Sequence, residues 1–265
     1  MMPVDAIIFD LEDAVALTEK EAARQLLAET LTLGGYGPRA QIVRINGMDT
    51  KWGEDDLAAI AAIGPEAVLL PKVDRAELIE DLAAKLDKIP EARDTKIWAM
   101  METPEGILNA ASVARASRMA GMVMGTNDLA KDLNSRTHPT REPMITSLGM
   151  CVLAARAAGI AIVDGVYNAF KDDEGLRTEC EQGRDMGFDG KTLIHPAQVA
   201  IANEAFAPSE EEIDLASRQI AAFEEATAAG QGVAVVDGRI VENLHVETAR
   251  ATLAKASAIK ELAAA

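Results

Sequence analysis

Cysteine is scarce in this 265-residue sequence, and the only two, Cys151 and Cys180, offer no Cys/His metal spacing. Cys151 lies in an apolar helical run (MCVLAARAAG), and both read as plain reduced thiols of a cytoplasmic protein. Basic clusters are missing as well. The formal net charge is −17 and Lys and Arg are dispersed, which argues against nucleic acid and anionic membrane as partners. An anionic substrate stays open, because a metal ion or a few arginines invert a local potential. No apolar run reaches transmembrane length, and the start (MMPVDAIIFD) lacks the basic stretch of a secretory signal. A Gly-rich phosphate loop, a nucleophile elbow and an internal repeat are also absent.

What is present is an apolar content of 49%, ample for one substantial core. Single-domain α/β barrels often have this length. Apolar runs at 6–11, 41–46, 67–73, 97–102, 121–125, 160–166 and 191–194 read as strands. Helical patterns lie between them, at 19–31, 52–63, 75–86, 105–119, 144–158 and 173–186. Strict alternation predicts a parallel sheet. Seven strands are one short of a closed barrel. After Asp128 the chain reads as irregular (KDLNSRTHPTREP), long enough for an active-site loop. The tail breaks the alternation. A capping-box-like start at Ser209 opens a helix, Asp237-Gly238 marks a two-residue hairpin turn, and a last helix runs from Asn243.

The stretch from Lys96 to Asp128 draws attention first. Each of its two buried strands ends in a turn with one carboxylate, Glu102 in METPEG and Asp128 in GTNDL. Barrel chemistry sits at C-terminal strand ends, and two carboxylates there suit a hard divalent cation such as Mg²⁺. Two solvated or helix-capping carboxylates would give the same pattern. Arg44, inside an apolar strand, reads either as a fork for a substrate carboxylate or as half of a structural ion pair with Glu12 or Asp13. Lys72 and His195, both at strand ends, are placed to touch an anionic ligand. A lone His is more often a structural hydrogen-bonder, and His138 lies in a loop. The run FDLEDA also resembles the start of a haloacid-dehalogenase-type phosphatase. That pattern needs Asp where Glu12 stands, and its remainder has no match.

The series IIFDLEDAV, IVRINGMDT, LLPKV, MMETPEGILNA, GTNDLAKDL, DGVYNAF, GKTLIHPAQ and GRIVENLHVETA, in this order, resembles the citrate lyase β-subunit-like family of the aldolase/citrate lyase superfamily. Within it the chain is most similar to (3S)-malyl-CoA thioesterases, relatives of malyl-CoA lyases. The resemblance implies a TIM-type (β/α)8 barrel with a C-terminal helix-hairpin-helix extension, Mg²⁺, acyl-CoA substrates, and homotrimers or homohexamers. It places the metal on Glu102 and Asp128 and the substrate carboxylate on Arg44, with Glu102 also near substrate. Glu12 and Asp13 fall near the metal shell, where they would hold its waters.

The family's lyases carry an Asp in a G-[RK]-M-[IV]-D motif that enters a neighbouring subunit's site; here the matching position is Glu242. One more methylene moves a carboxylate by about an ångström, and misplacement on that scale costs on the order of 10²-fold in rate. A second departure is the absence of the usual first β/α unit (RSxLYxPG), read as a truncation or a misassigned start.

The expectations are therefore a barrel over residues 1–206 and an extension over 207–265 that packs on a neighbouring subunit. The expected activity is Mg²⁺-dependent hydrolysis of (3S)-malyl-CoA to malate and CoA, with Arg44 and an in-trans Glu242 as catalytic residues. One alternative is lyase cleavage of malyl-, methylmalyl- or citramalyl-CoA to acetyl- or propionyl-CoA plus glyoxylate or pyruvate. Another is a non-catalytic acyl-CoA-binding subunit of a larger complex.

Overall fold

Apolar runs become strands here because neighbouring strands and covering helices bury both of their faces. The structure is a computed structural model describing residues 2–136 and 138–264. Its elements are β1 (Ala6–Asp10), α1 (Lys20–Leu33), β2 (Ala40–Arg44), α2 (Gly53–Ala61), β3 (Ala67–Leu70), α3 (Ala76–Leu86), β4 (Lys96–Met101), α4 (Pro104–Leu108), α5 (Ala110–Val113), β5 (Met119–Met124), α6 (Thr126–Asp132), α7 (Ile145–Ala158), β6 (Ala161–Asp164), α8 (Asp173–Met186), β7 (Gly190–Lys191), α9 (Val199–Phe206), α10 (Glu210–Ala228), β8 (Ala234–Val236), β9 (Arg239–Val241) and α11 (Asn243–Ala264). They form two compact units that divide between Ala205 and Phe206. Among the described residues no helix is long and apolar enough to cross a membrane.

In the first unit β1 to β7 are parallel and hydrogen-bonded in sequence order. This is the order in which β/α units wind a TIM-type barrel. Side chains alternate across each strand. One set, Ile8, Ile42, Ala67, Leu69, Trp98, Met100, Val123 and Val163, packs as a single interior layer. The opposite set includes Val43, Val68, Leu70, Ile97, Ala99, Met101, Met122 and Met124, and all are buried. The interior holds one indole, and Gly121 makes room for it. Gly121 stands opposite Trp98 in the β4–β5 register, and a Cβ there would overlap the ring.

Three local expectations need correction. The single helix expected over 105–119 is two short helices, α4 and α5, separated at Asn109. The Asn109 side chain donates to the carbonyl of Asp74 (2.8 Å) and to Glu105 Oε1 (3.1 Å), a local alternative to helix hydrogen bonding. Asp128, expected in a turn, lies in the first turn of α6, which runs on to Asp132 into the stretch expected to be irregular. The strand expected over 191–194 is a two-residue pairing, Gly190–Lys191. Beyond it the chain leaves the sheet for a 3₁₀ turn over Pro196–Gln198.

The second unit is a helix, a hairpin and a helix. Ser209 caps α10 in a full capping box. Asp237 and Gly238 both take left-handed backbone (φ 51° and 73°), as a type I′ turn requires. Ala226, Ala234, Val236, Val241 and Val246 form its core. Val235 and Ile240, directly opposed in the hairpin register, are 65% and 63% exposed.

Candidate active site

The alternation that builds the interior layer also places charge at its C-terminal mouth. Asp10 follows Ile8 by two positions, Arg44 follows Ile42, and Glu102 follows Met100, so all three face inward above the apolar layer. Asp10 and Arg44 are register partners. Arg44 Nε donates to Asp10 Oδ1 (2.8 Å), Nη2 engages Oδ2, and Nη1 lies 2.9 Å from Glu12 Oε2. The structural ion pair is thus realised with Asp10 and Glu12, whereas Asp13 is exposed. A guanidinium has five N–H donors, and these contacts engage three of its nitrogens once each. Among the described residues Nε and Nη2 each make one hydrogen bond and Nη1 only a charge contact, so the terminal nitrogens keep protons for a ligand.

Glu102 is 1% exposed, and its Oε1 accepts the backbone N–H of Lys72 (2.8 Å). Lys72 holds a left-handed φ of 51°, an uncommon conformation for a non-glycine residue. Gly125 opens the GTNDL turn and packs against Glu102, where a Cβ would overlap that side chain. Burial, reinforced by the charges of Glu12 and Asp128, pushes the Glu102 carboxyl up to about 7 against the opposing Lys72 amide. Burial also raises Glu12 despite Arg44 beside it. For Asp10 burial is outweighed by Arg44 and the backbone amides of Glu12 and Ala14, and the acid is lowered. For Lys72 burial is outweighed by Glu12, Asp128, Asp13 and Glu102, and its ammonium is favoured.

Four carboxylates, those of Asp10, Glu12, Glu102 and Asp128, therefore face two cations, Arg44 and Lys72. With all four ionised, two negative charges are left over, and exposed Asp13 adds a third. Glu12 Oε2 is buried and has an ion-pair contact to Arg44, yet no correctly aligned hydrogen-bond donor among the described residues. Surplus negative charge and all-oxygen donors fit a hard divalent cation. Among the described residues no group of three or more Asp, Glu, His or Cys side chains is preassembled for a metal. Magnesium does not need one, because it keeps several waters and takes one or two carboxylates.

Two supporting networks escape the pattern of the sequence. Lys20 is buried and donates to the carbonyls of Leu11 (2.9 Å) and Glu12 (2.6 Å). Asn46 donates to the same Leu11 carbonyl (2.8 Å) and is fixed by buried Asp56. Together they hold the turn that presents Glu12. On the other side of the rim, Nη1 of buried Arg141 donates to both carboxylate oxygens of Asp164 (2.7 and 2.8 Å), and Lys191 reaches Glu179 (2.6 Å) and Asp164 (3.3 Å). His195 caps the 3₁₀ turn through Nδ1. Glu242 belongs to the second unit and is exposed just before α11.

A barrel mouth lined by DLEDAV, METPEG and GTNDL has counterparts among known proteins. The family model for HpcH/HpaI aldolase/citrate lyase matches residues 1–196. The chain belongs to this family. It is 64% identical to a (3S)-malyl-CoA thioesterase of Cereibacter sphaeroides over 97% of this chain and 88% of that one. It is 36% identical to the citrate lyase subunit beta of Leuconostoc mesenteroides subsp. cremoris, over 96% and 86%. The solved structure of CitE from Mycobacterium tuberculosis in complex with magnesium, acetoacetate and coenzyme A superposes with a TM-score of 0.78 at 31% identity, covering 96% of this chain and 91% of that one.

Proposed function

We propose that this protein is a Mg²⁺-dependent thioesterase that hydrolyses (3S)-malyl-CoA to malate and CoA. The observation that carries this reading is the 64% identity to a (3S)-malyl-CoA thioesterase across nearly the whole chain. It is supported by the surplus of carboxylates at the barrel mouth. Glu102 and Asp128 would hold the metal, with Glu12 and Asp13 behind its waters. Bound there, Mg²⁺ supplies positive charge for the malyl carboxylate and hydroxyl. The free Nη protons of Arg44 would grip the same carboxylate, and Lys72 adds a second cation at the rim. The acyl group is thereby fixed with its thioester carbonyl open to water.

A carboxylate is then needed to take the water proton as the C–S bond breaks and the thiol leaves. We assign that role to Glu242 of a neighbouring copy. The exposed pair Val235 and Ile240, beside it on the hairpin, supports packing of the tail against another subunit of a homotrimer or homohexamer. Replacing both by Ser should shift the light-scattering mass to a smaller species and reduce turnover with it. An unchanged mass with full turnover would remove the tail from the site. Two buried free thiols support a reducing, cytoplasmic setting.

Incubation with (3S)-malyl-CoA and Mg²⁺ tests the reaction. One free thiol and one malate per substrate consumed is the expected result. The 36% identity to a citrate lyase subunit beta favours C–C cleavage as the second reading. Glyoxylate with intact acetyl-CoA would establish that reading and overturn hydrolysis.

A further inference from the structure

The loops after β6 and β7 carry an exposed aromatic pair that hydrolysis does not use. The rings of Phe170 and His195 stack with centroids 4.6 Å apart and planes 26° apart. Phe170 is 41% exposed, and His195 is exposed beside it. The chain has only five Phe, two Tyr and two Trp, and leaving an apolar ring of this size in water is unfavourable.

The pair is held firmly. His195 Nδ1 accepts the amide of Ala197 (3.2 Å), and the His195 amide donates to Gln198 Oε1 (3.2 Å). Gln198 Nε2 then donates to the carbonyl of Tyr167 (2.8 Å), which ties the β7 loop to the β6 loop. The Phe170 amide donates to the carbonyl of Asn168 (2.9 Å). Asn168 and Asn127 exchange side-chain hydrogen bonds (2.7 and 3.3 Å), and Asn127 immediately precedes Asp128. The platform is therefore tied through one amide pair to the turn that carries a proposed metal ligand.

We propose that Phe170 and His195 form a stacking platform for the adenine base of the coenzyme A substrate. This rests on the acyl-CoA reading of the site. Aromatic side chains bind bases through their faces without needing a hydrogen-bond pattern. The platform lies on the same C-terminal rim as the reacting end. Neighbouring strands are about 4.8 Å apart, so β7 is roughly 10 Å along the sheet from β5, a gap that the pantetheine arm bridges. Lys171 Nζ stands 5.6 Å from the Phe170 ring centre, but Asp172, Asp173 and Glu174 follow it.

The test compares (3S)-malyl-CoA with (3S)-malyl-pantetheine, which lacks the nucleotide, on the full-length protein. Phe170→Ala should raise KM for malyl-CoA roughly tenfold or more. It should leave kcat and the KM for malyl-pantetheine unchanged. Phe170→Leu, which keeps apolar volume without a π face, should behave like Phe170→Ala and guards against misfolding. Phe170→Trp should restore a low KM. An equal effect on both thioesters, or on neither, overturns the platform. If the unmodified protein hydrolyses neither thioester, the reaction assignment fails, and calorimetric titration with adenosine 3′,5′-bisphosphate decides the platform by itself. Binding weakened tenfold or more by Phe170→Leu sustains it; equal binding, or none to the unmodified protein, overturns it.

Discussion

Two ion clusters share the C-terminal rim of one sheet and are built on opposite balances. Around β6 and β7, Arg141, Lys191, Asp164 and Glu179 carry two charges of each sign, and every one has a partner of opposite sign. Around β1, β2 and β4, Asp10, Glu12 and Glu102, with Asp128 close by, outnumber Arg44 and Lys72. The first cluster is complete by itself and clamps the end of the post-β5 loop to the strands. The second pushes the Glu102 carboxyl up to about 7 and leaves an oxygen of Glu12 without an aligned donor among the described residues. Both are dense in charge. Balance, rather than density, separates the clamp from the candidate binding site.

Substitution at each cluster sharpens that contrast. Glu102→Gln keeps an acceptor for the Lys72 amide but removes the charge proposed to hold the metal. Turnover of malyl-CoA should fall on the order of 10³-fold, several kcal/mol of transition-state stabilisation. The melting temperature should hold or rise, because a crowded buried charge is gone. Mg²⁺-titrated thiol release and a thermal melt read the two quantities, and full turnover would take Glu102 out of the site. Arg141→Met should act the other way round. It strands part of the Asp164 charge in a buried place and should cost about 3 kcal/mol in urea unfolding. Turnover per folded molecule should be retained. A large kcat loss without a stability loss would erase the distinction between clamp and site.

The charged residues of the barrel mouth were legible in the sequence and the clamp was not, for a physical reason. Period-two alternation puts Arg44 and Glu102 on the interior face directly from the order of residues. The same alternation, applied to Ile8, places Asp10 on that face as well. The hairpin was equally plain, because Asp237-Gly238 specifies its own turn. Arg141 gave no such signal. It lies in an irregular segment, takes a left-handed φ of 54°, and meets Asp164 across 23 residues through tertiary packing. Lys20 is similar: it sits at the start of an ordinary amphipathic helix, and its carbonyl partners appear only when the Leu11–Glu12 turn is folded. Long-range polar contacts of this kind carry no periodicity. The break at Asn109 is intermediate, because its cause is a side-chain bond to Asp74, 35 residues away.

A pair of glycines gives the finest version of the comparison, because both do the same job, one within β5 and one just past its end. Gly121 clears space for Trp98 in the apolar layer, and Gly125 clears space for Glu102 at the mouth, four residues on. Gly125→Ala forces the Glu102 backbone-proximal atoms to move, since its Cβ meets the Glu102 Cβ as well as the flexible carboxylate end. A shift of about 1 Å in a positioning group costs on the order of 10²-fold in rate, so kcat should fall by that factor with a modest change in stability. Gly121→Ala presses instead on an indole that the layer encloses. Overpacking of this kind costs about 1–3 kcal/mol, and it should appear in the urea midpoint while Mg²⁺ dependence and kcat stay near those of the unmodified protein. The steric insult is equivalent, and only the side chain it strikes differs. If Gly121→Ala lowered kcat as much as Gly125→Ala, the apolar layer would be setting the geometry of the carboxylates above it, and the boundary between scaffold and site would lie one layer deeper in the barrel.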